Sequence, residues 1–390
     1  MGTFSKSWGY FHLILLSISF LSFPDYMRSK PIKPVKIPKN IELSDANIGP
    51  NFVNILSVKL GEPFQQLSLK ISTSFCGLYV LDKITFSRGY SLNQSSTGKK
   101  VSEKGQLNDM SGEIITDFLK ISQNPSLLIS FLLIRSLKAQ FTDYDGAIGI
   151  GTNCNSPYNI EKKQYSFDLL SIIQKIYENS HQVFSLTIDS NGITILDLGN
   201  YPFKIQTLSK SFYYKRIPLS INPRTNSWEV KLAGVYLENN SFLKVNQNIA
   251  IGTSGAFIAV DQQFFSFFIW NFFLNHDSEL SFNNNCFQTN GNYVQEIYCN
   301  ENYDISQIGT ISLVIGKHTI KIESDKLFYE VKRNGRLQRF FSIVHYPTND
   351  KWYISQKLIY DATVVYDNKR KEIGLLYSRF ADKIYHGLKE

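Results

Sequence analysis

Lys70-Ile-Ser-Thr-Ser-Phe-Cys-Gly-Leu-Tyr-Val80 recurs in altered form as Ala250-Ile-Gly-Thr-Ser-Gly-Ala-Phe-Ile-Ala-Val260. Each copy has an apolar run, a Thr-Ser turn and a second apolar run. The identical positions are Ile71 and Ile251, Thr73 and Thr253, Ser74 and Ser254, and Val80 and Val260. Because related segments in matching halves of a chain indicate an internal repeat, the sequence predicts two lobes related by duplication.

The composition favours a β-rich protein. The chain has 390 residues, of which 43% are hydrophobic and 14% aromatic, so it can form one large or two medium domains. The formal net charge is +8, but the densest basic cluster, 332–339, surrounds Asn334-Gly335 and predicts a hairpin with a solvated tip. Because the basic residues are scattered, we predict no nucleic-acid partner.

The N-terminus is typical of a secretory signal. An apolar run at 11–23 follows Lys6 and ends before Pro24, and it is short for a membrane span. We expect a signal peptide at 1–23, with a signal anchor or a buried hydrophobic element as the alternative, and no membrane span after cleavage. The segment 24–50 is predicted to be extended and 381–390 to be a polar tail. These features predict a monomer that is secreted or held in the secretory-pathway lumen.

Four cysteines in a secreted chain are expected to pair, and the sequence alone permits three connectivities. Cys286 and Cys299 enclose a short polar loop, so they are the easy pair, which leaves Cys76 with Cys154. The spacing does not match a zinc site, and no metal or cofactor is expected. Two glycosylation sequons, predicted on surface loops, begin at Asn93 and Asn239.

Short strands dominate the predicted secondary structure. One helix is predicted at 166–178 with Ser166 as its N-cap, and a second after Asp261 with an apolar face of phenylalanines. That face is formed by Phe264, Phe267, Phe268 and Phe272. A buried strand is predicted at 128–134, and a loop or hairpin at 92–112. Frequent strands with few helices favour a mostly β fold with barrel-like lobes.

The order of these features resembles the pepsin-like aspartic proteases over residues 51–377. The two repeats fall where that family has its two Asp-Thr-Gly turns, and Asp145-Gly-Ala-Ile-Gly149 is similar to the strand that threads beneath the first turn. The final Trp-containing segment, 352–367, is also similar. The resemblance implies a bilobal pepsin-like fold with two pseudo-symmetric lobes, 51–205 and 206–380, around a central cleft.

The catalytic positions of the family are changed in both turns. The family's chemistry requires two carboxylates that share a proton and activate a water molecule. Here the corresponding residues are Ser72 and Gly252, and the sequence contains neither Asp-Thr-Gly nor Asp-Ser-Gly. A serine hydroxyl titrates too high to act as a base at neutral pH, and glycine supplies no group. We therefore predict no catalytic residue. Asp145 is structural in the family and is not a candidate.

Other family positions are partly kept. Thr73 and Thr253 stand where the family's threonine hydroxyls brace the two turns, and Ser74 and Ser254 follow them. Gly105 stands where the flap carries a tyrosine. In the family fold, the segments containing Cys76 and Cys154 run side by side, so their disulfide is plausible although it is not the family's usual first bridge. Ser355 also replaces a glycine of the family.

The sequence therefore predicts a secreted pepsin-like protein that lacks the catalytic pair and whose cleft binds a peptide or protein. One alternative is an active aspartic endopeptidase or other hydrolase with a non-standard site. However, Ser72 as a nucleophile would need a neighbouring base, and no motif links it to a histidine. The other alternative is a purely structural secreted component.

Overall fold

The structure is a computed structural model, and the fold is described for the part of the chain whose placement it defines. These residues are 35–37, 39–40, 53–107, 110–121, 126–136, 144–152, 154, 168–176, 181–188, 194–199, 201, 212–220, 225–237, 242–253, 255, 257–273, 286–290, 294–333, 336–348, 350–359 and 362–378. The predicted signal peptide and polar tail, Ser254 and Asn239 lie outside them.

Strands make up most of the described chain. In the first half they are β1 (Val35–Ile37), β2 (Lys39–Asn40), β3 (Val53–Leu60), β4 (Gln65–Ser72), β5 (Cys76–Leu81), β6 (Lys99–Leu107), β7 (Met110–Ile121), β8 (Leu127–Ser136), β9 (Gly146–Ile150), β10 (Val183–Ile188) and β11 (Thr194–Leu198). In the second half they are β12 (Phe212–Pro218), β13 (Glu229–Tyr236), β14 (Phe242–Gly252), β15 (Ile258–Val260), β16 (Cys286–Asn290), β17 (Gln295–Asn300), β18 (Ile311–Ile315), β19 (His318–Ile322), β20 (Phe328–Arg333), β21 (Arg336–Phe341), β22 (Ile343–His345), β23 (Trp352–Ser355), β24 (Ala362–Asp367) and β25 (Glu372–Ser378).

Helices are few among the described residues. They are α1 (Lys83–Phe86), α2 (Leu169–Ile176) and α3 (Gln262–Phe272), with short 3-10 turns at Leu92–Gln94, Ile305–Ile308, Ser324–Lys326 and Gln356–Leu358. The mostly β fold class predicted from the sequence is thus confirmed.

Six strands of the first lobe close into a barrel. They follow the order β3-β4-β9-β5-β8-β7, and β7 pairs back onto β3, with Val58 opposite Ile121. Alternate residues of β4, among them Leu67, Leu69 and Ile71, are buried inside it, as expected for a strand with one face towards a core. This barrel holds Ser72, the last residue of β4, at one end of the lobe.

The second lobe repeats the central pairing pattern of the first. In the first lobe, β9 lies between β4, to which it is parallel, and β5, to which it is antiparallel, and β5 runs parallel to β8. In the second lobe, β23 lies in the same way between β14 and β15, and β15 runs parallel to β22. The duplication predicted from the two sequence repeats is therefore present in the strand topology.

A sheet of six strands, in the order β1-β11-β10-β24-β25-β12, joins the lobes. A buried aromatic cluster lies at this junction: the ring of Phe184 stacks on Tyr366, with 4.4 Å between centroids, and Trp228 packs edge-on against both. The Trp228 indole N–H donates to the Ile150 carbonyl at 2.8 Å. Buried aromatic packing of this kind fixes the relative placement of the two turns.

Several local predictions are refined by the structure. The helix predicted at 166–178 begins at Leu169, where the Asp168 side chain accepts from the Leu170 amide at 3.1 Å. The predicted N-cap, Ser166, lies outside the described residues. In α3, Asp261 is the N-cap as predicted, but Phe265 is buried while Phe267 is only half-buried, because the core lies on a slightly rotated face. The strand predicted at 128–134 extends over Leu127–Ser136, and Leu128 is exposed rather than buried.

The predicted basic hairpin is also present. β20 pairs with β21 in antiparallel register, with Arg333 opposite Arg336. The two turn residues between them lie outside the described residues.

Candidate functional site

The two repeated turns meet at the floor of the cleft. Ser72 ends β4 and pairs with Gly149 of β9, while Gly252 ends β14 and pairs with Ser355 of β23. Ser72 is 4% exposed. The structure therefore places these two degenerate positions at equivalent points of the two lobes.

Hydrogen bonds to Thr253 connect the lobes beneath the cleft. The Thr253 hydroxyl donates to the Ile71 carbonyl at 3.0 Å, and the Asn54 side chain donates to the Thr253 carbonyl at 3.3 Å. Thr253, Asn54 and Thr73 are all buried. Since Ile71 immediately precedes Ser72, the second turn is held directly against the first.

Replacing Thr253 with valine is expected to lower the free energy of unfolding by about 2 kcal/mol, because the buried Ile71 carbonyl loses a donor while the shape of the side chain is kept. Denaturant unfolding at neutral pH measures the change. Thr319→Val, at an exposed position of β19, is the matched control and should be nearly neutral. Equal effects for the two variants would contradict a bracing role for Thr253.

Hydroxyl groups occupy the first turn in place of a carboxylate. The Ser72 hydroxyl lies 2.8 Å from the Ser74 hydroxyl, and the Ser74 amide donates to Ser72 Oγ at 3.3 Å. Two neutral hydroxyls can donate and accept hydrogen bonds, but they carry no charge and no basic group near neutral pH. The turn can therefore bind polar groups, and it supplies no general base.

At the first position of the second turn, a side chain would meet the ring of Tyr353. A Cβ built on Gly252 would lie 2.4 Å from Cε2 and 2.8 Å from the hydroxyl oxygen of Tyr353. Tyr353 belongs to β23, whose backbone pairs with β14, and its ring also contacts Phe257, with 5.2 Å between centroids. A side chain at residue 252 would therefore require the half-buried ring of Tyr353, which lines the cavity, to shift.

Ser355, which pairs with Gly252, binds the second turn through its hydroxyl group. It is fully buried, and its hydroxyl donates to the Gly255 carbonyl at 2.6 Å. In the other lobe the equivalent residue is Gly149, where a Cβ would lie 2.4 Å from the Phe75 carbonyl oxygen. The two lobes therefore differ here: the second accepts a serine and uses its hydroxyl to bind the turn.

A cavity of about 650 Å³ lies beside the two turns. Its lining comes mainly from β13, β14, β15 and β23, and Ser72, Thr73 and Ser74 represent the first lobe. Among the described lining residues, the charged side chains are Glu229, Lys231 and Lys351. The Asn248 side-chain amide donates to Glu229 at 3.2 Å. Because a single carboxylate lines the cavity, the lining lacks the pair that proton sharing requires.

The flap position predicted at Gly105 is buried inside a hairpin. Gly105 pairs with Gly112 between β6 and β7. A Cβ on Gly105 would lie 2.4 Å from Ile114 Cδ1 and 3.0 Å from Leu132 Cδ1. A tyrosine at this position would therefore collide with the core of the lobe unless the hairpin moved.

A buried acid lies close to the cavity wall. Glu296, on β17, is 7% exposed, and its burial raises the pKa of the carboxyl from 4.5 to about 7. Burial also raises the pKa of Tyr346, which lines the cavity, to about 12, and the negative charge of Glu296 contributes to that shift. Burial thus disfavours the charged form of the Glu296 carboxyl, which is mainly neutral only below about pH 7.

The contribution of Glu296 to stability should fall as pH rises from 4.5 through 7, because its raised pKa means that the folded state binds its proton more tightly than the unfolded state. The loss amounts to at most about 3 kcal/mol, since each pKa unit corresponds to about 1.4 kcal/mol. Glu296→Gln should flatten this part of the pH profile of unfolding. Glu323→Gln, at an exposed position, should leave it unchanged, and a similar slope in both variants would contradict the assignment.

The remaining predicted residues are distributed around the site. Both disulfides are formed, Cys76 with Cys154 and Cys286 with Cys299. Asn93 is exposed in a 3-10 turn, as its predicted glycosylation requires.

Asp145 has structural partners. One of its carboxylate oxygens accepts from Arg88 at 3.0 Å, and the other accepts from the Ser68 amide at 2.8 Å. Within the described residues, no group of three or more His, Cys, Asp or Glu side chains is placed to hold a metal ion. No helix in that part of the chain is long and apolar enough to cross a membrane.

Residues 55–377 match the family model of the eukaryotic aspartyl proteases. Since the match spans most of the chain, this protein belongs to the eukaryotic aspartyl protease family. The comparison with curated proteins found no match.

Sequence reasoning missed several residues of the site. Tyr353, Lys231 and Lys351 line the cavity, but isolated tyrosines and lysines carry no motif. For Tyr353 a signal existed, because it lies two residues before Ser355, inside the segment that resembles the family's last conserved strand. Asn54 gave no signal, since its partner Thr253 is 199 residues away.

Proposed function

We propose that this protein is a non-catalytic aspartyl protease relative that binds peptide or protein segments in its cleft. The observation that carries the proposal is the position of Tyr353. Its ring lies 2.4 Å from where a Cβ of residue 252 would stand, so the second turn has an aromatic ring beside Gly252, and any side chain there would have to displace it. With Ser72 in the first turn, neither turn supplies an acid at the position that the family's reaction needs.

Binding is supported by what the site retains. The cavity beside the turns is large enough for several side chains of a peptide, and aromatic rings and polar side chains both contribute to its wall. The turns are held together by Thr253 and the Ile71 carbonyl. A braced floor and a lined cavity favour recognition of an extended segment, which can add backbone hydrogen bonds to side-chain contacts.

We further propose that the protein acts in the secretory pathway or outside the cell. Two disulfides support this location, because such bonds persist in oxidising compartments. The exposed sequon at Asn93 agrees with it. Intact-mass measurement of protein purified from a eukaryotic secretion host, before and after glycosidase treatment, tests this placement.

Incubation with denatured protein substrates between pH 3 and pH 7 tests the lack of catalysis. We expect no cleavage, and cleavage that pepstatin blocks would overturn the proposal. Cleavage insensitive to pepstatin but lost in Glu229→Gln would instead support a hydrolase with a non-standard site, since Glu229 supplies the carboxylate of the described cavity lining. Failure of every peptide in a binding screen would favour a purely structural role.

A further inference from the structure

The cavity beside Ser72 and Gly252 has an unusual charge distribution. Among its described lining residues, two side chains are cationic, Lys231 and Lys351, and one is anionic, Glu229. The turns themselves contribute only uncharged groups. Where a pair of aspartates would make the centre of the cleft negative, the lining here has an excess of positive charge, which attracts anionic ligand groups.

The anionic groups at and behind the cavity already have donors. Glu229 accepts from the Asn248 amide at 3.2 Å. Behind the wall, Asp261 accepts from the Trp352 indole N–H at 2.9 Å, from Gln247 and from the first turn of α3. Asp350, next to Lys351, accepts from the Gln262 amide at 2.8 Å. These carboxylates are therefore directed towards the protein's own donors.

The lysines differ in how much freedom they keep. Lys231 is held by a hydrogen bond from its ammonium to the Asn246 carbonyl at 2.9 Å, and an ammonium has two further N–H donors. Lys351 is exposed at the start of β23, directly before Trp352. The cavity lining therefore offers two exposed cationic side chains to a ligand, one of which already has a backbone acceptor.

Aromatic side chains line the same cavity. Phe257 contacts Tyr353, and it also contacts Tyr346, with 5.8 Å between centroids. Apolar walls lower the local dielectric constant, so a charge pair formed beside them is stronger than one in open solvent. The cavity thus combines an apolar wall with cationic side chains.

We infer that this cavity recognises a carboxylate of an extended peptide, received by Lys351 and Lys231. The inference rests on the proposed peptide-binding function and specifies its ligand as an acidic segment. The carboxylate can come from an aspartate or glutamate side chain or from the C-terminus of the ligand, and both present the same planar anion to the lysines.

Fluorescence anisotropy with labelled hexapeptides tests the inference on the full-length protein. One peptide carries a central glutamate and blocked termini, the second a central glutamine and blocked termini, and the third the glutamine and a free C-terminal carboxylate. We expect the glutamate peptide, the free-acid peptide or both to bind about tenfold more tightly than the blocked glutamine peptide, since a charge-assisted hydrogen bond is worth about 1.5 kcal/mol or more. The two acidic peptides together identify the source of the carboxylate.

Two lysine variants test whether the preference for acidic peptides arises at this cavity. Lys351→Gln should reduce the advantage of the acidic peptide about threefold to tenfold while leaving the glutamine peptide unaffected, because only the charge contact is removed. Lys317→Gln changes an exposed lysine outside the cavity lining and is the matched control. Added salt should weaken binding of the acidic peptide more than that of the neutral one.

Two outcomes overturn the inference. Equal affinity for acidic and neutral peptides would remove the carboxylate preference while leaving peptide binding in place, and an absence of binding by all three peptides would remove both. Tighter binding of the acidic peptide accompanied by its cleavage would have the opposite meaning: the preference would stand, and the non-catalytic function would be wrong.

Discussion

Restoring both aspartates, by Ser72→Asp with Gly252→Asp, is expected to give a destabilised protein without proteolytic activity. The Cβ of residue 252 would lie 2.4 Å from the Tyr353 ring, so the new carboxylate could be placed only by displacing that ring. Overpacking of a filled site typically costs about 1–3 kcal/mol. In addition, Gly105 leaves the flap without a tyrosine. Cleavage of a denatured substrate at acid pH and denaturant unfolding measure the two effects.

The stability effect can be separated from catalysis by a smaller substitution. Gly252→Ala adds only the Cβ and should still lower the free energy of unfolding by about 1–3 kcal/mol. Tyr353→Ala should recover most of this loss in the double variant, because the ring is gone. Tyr353→Phe keeps the ring, so it should not rescue Gly252→Ala. If Tyr353→Ala and Tyr353→Phe restore the stability of the Gly252→Ala variant equally, the ring is not what destabilises that variant.

Pepstatin-sensitive activity in the variant with both aspartates would contradict this reasoning in a second way. It would show that the tyrosine ring moves aside at little cost, and that the rest of the site is still suited to catalysis. The substitution Tyr353→Ala in the same background then becomes informative, since added activity would identify the ring as the remaining block.

Removing the Cys76–Cys154 disulfide, by substitution of both cysteines with alanine, is expected to lower the free energy of unfolding by about 4 kcal/mol. The bridge spans 78 residues, and closing a long loop restricts the unfolded chain strongly. It also ties the start of β5 to the residues after β9, and β9 pairs with β4 at Ser72. The loss should therefore appear in the folded state as faster amide exchange in Gly146–Ile150.

The second disulfide supplies the matched control. Cys286 and Cys299 are separated by 13 residues, so their replacement by alanine should cost about 3 kcal/mol and leave exchange in β9 unchanged. Denaturant unfolding with hydrogen exchange by mass spectrometry compares the two variants. A larger loss for the shorter bridge, or equal exchange of β9 in both variants, would contradict the role assigned to the bridge beneath Ser72.

Much of the fold was predictable from local sequence patterns. The apolar run at 128–134 predicted most of β8, and Asp261 predicted the start of α3, because local hydrophobicity and capping depend on neighbours in sequence. The helix predicted at 166–178 begins at Leu169, where Asp168 accepts from the Leu170 amide. The exact N-terminus of a helix depends on which of several polar side chains accepts from its free backbone amides.

The candidate site was predictable in its residues but not in its surroundings. The sequence identified Ser72 and Gly252 because two copies of one motif could be aligned. It gave no indication that Tyr353 fills the space beside Gly252, because the two residues are brought together by the parallel pairing of β14 with β23. The burial that raises the pKa of Glu296 is likewise a property of packed strands and not of its sequence neighbours.

The amino-acid sequence by itself determined that this chain has two related halves, a mostly β fold and no aspartate at either turn. These properties are local, and each can be read from a run of about ten residues. The tertiary structure alone decided that the vacant position in the second turn is filled by an aromatic ring, that Thr253 binds the Ile71 carbonyl, and that two lysines line one cavity. These facts depend on contacts between residues far apart in the chain, which strand register and packing bring together.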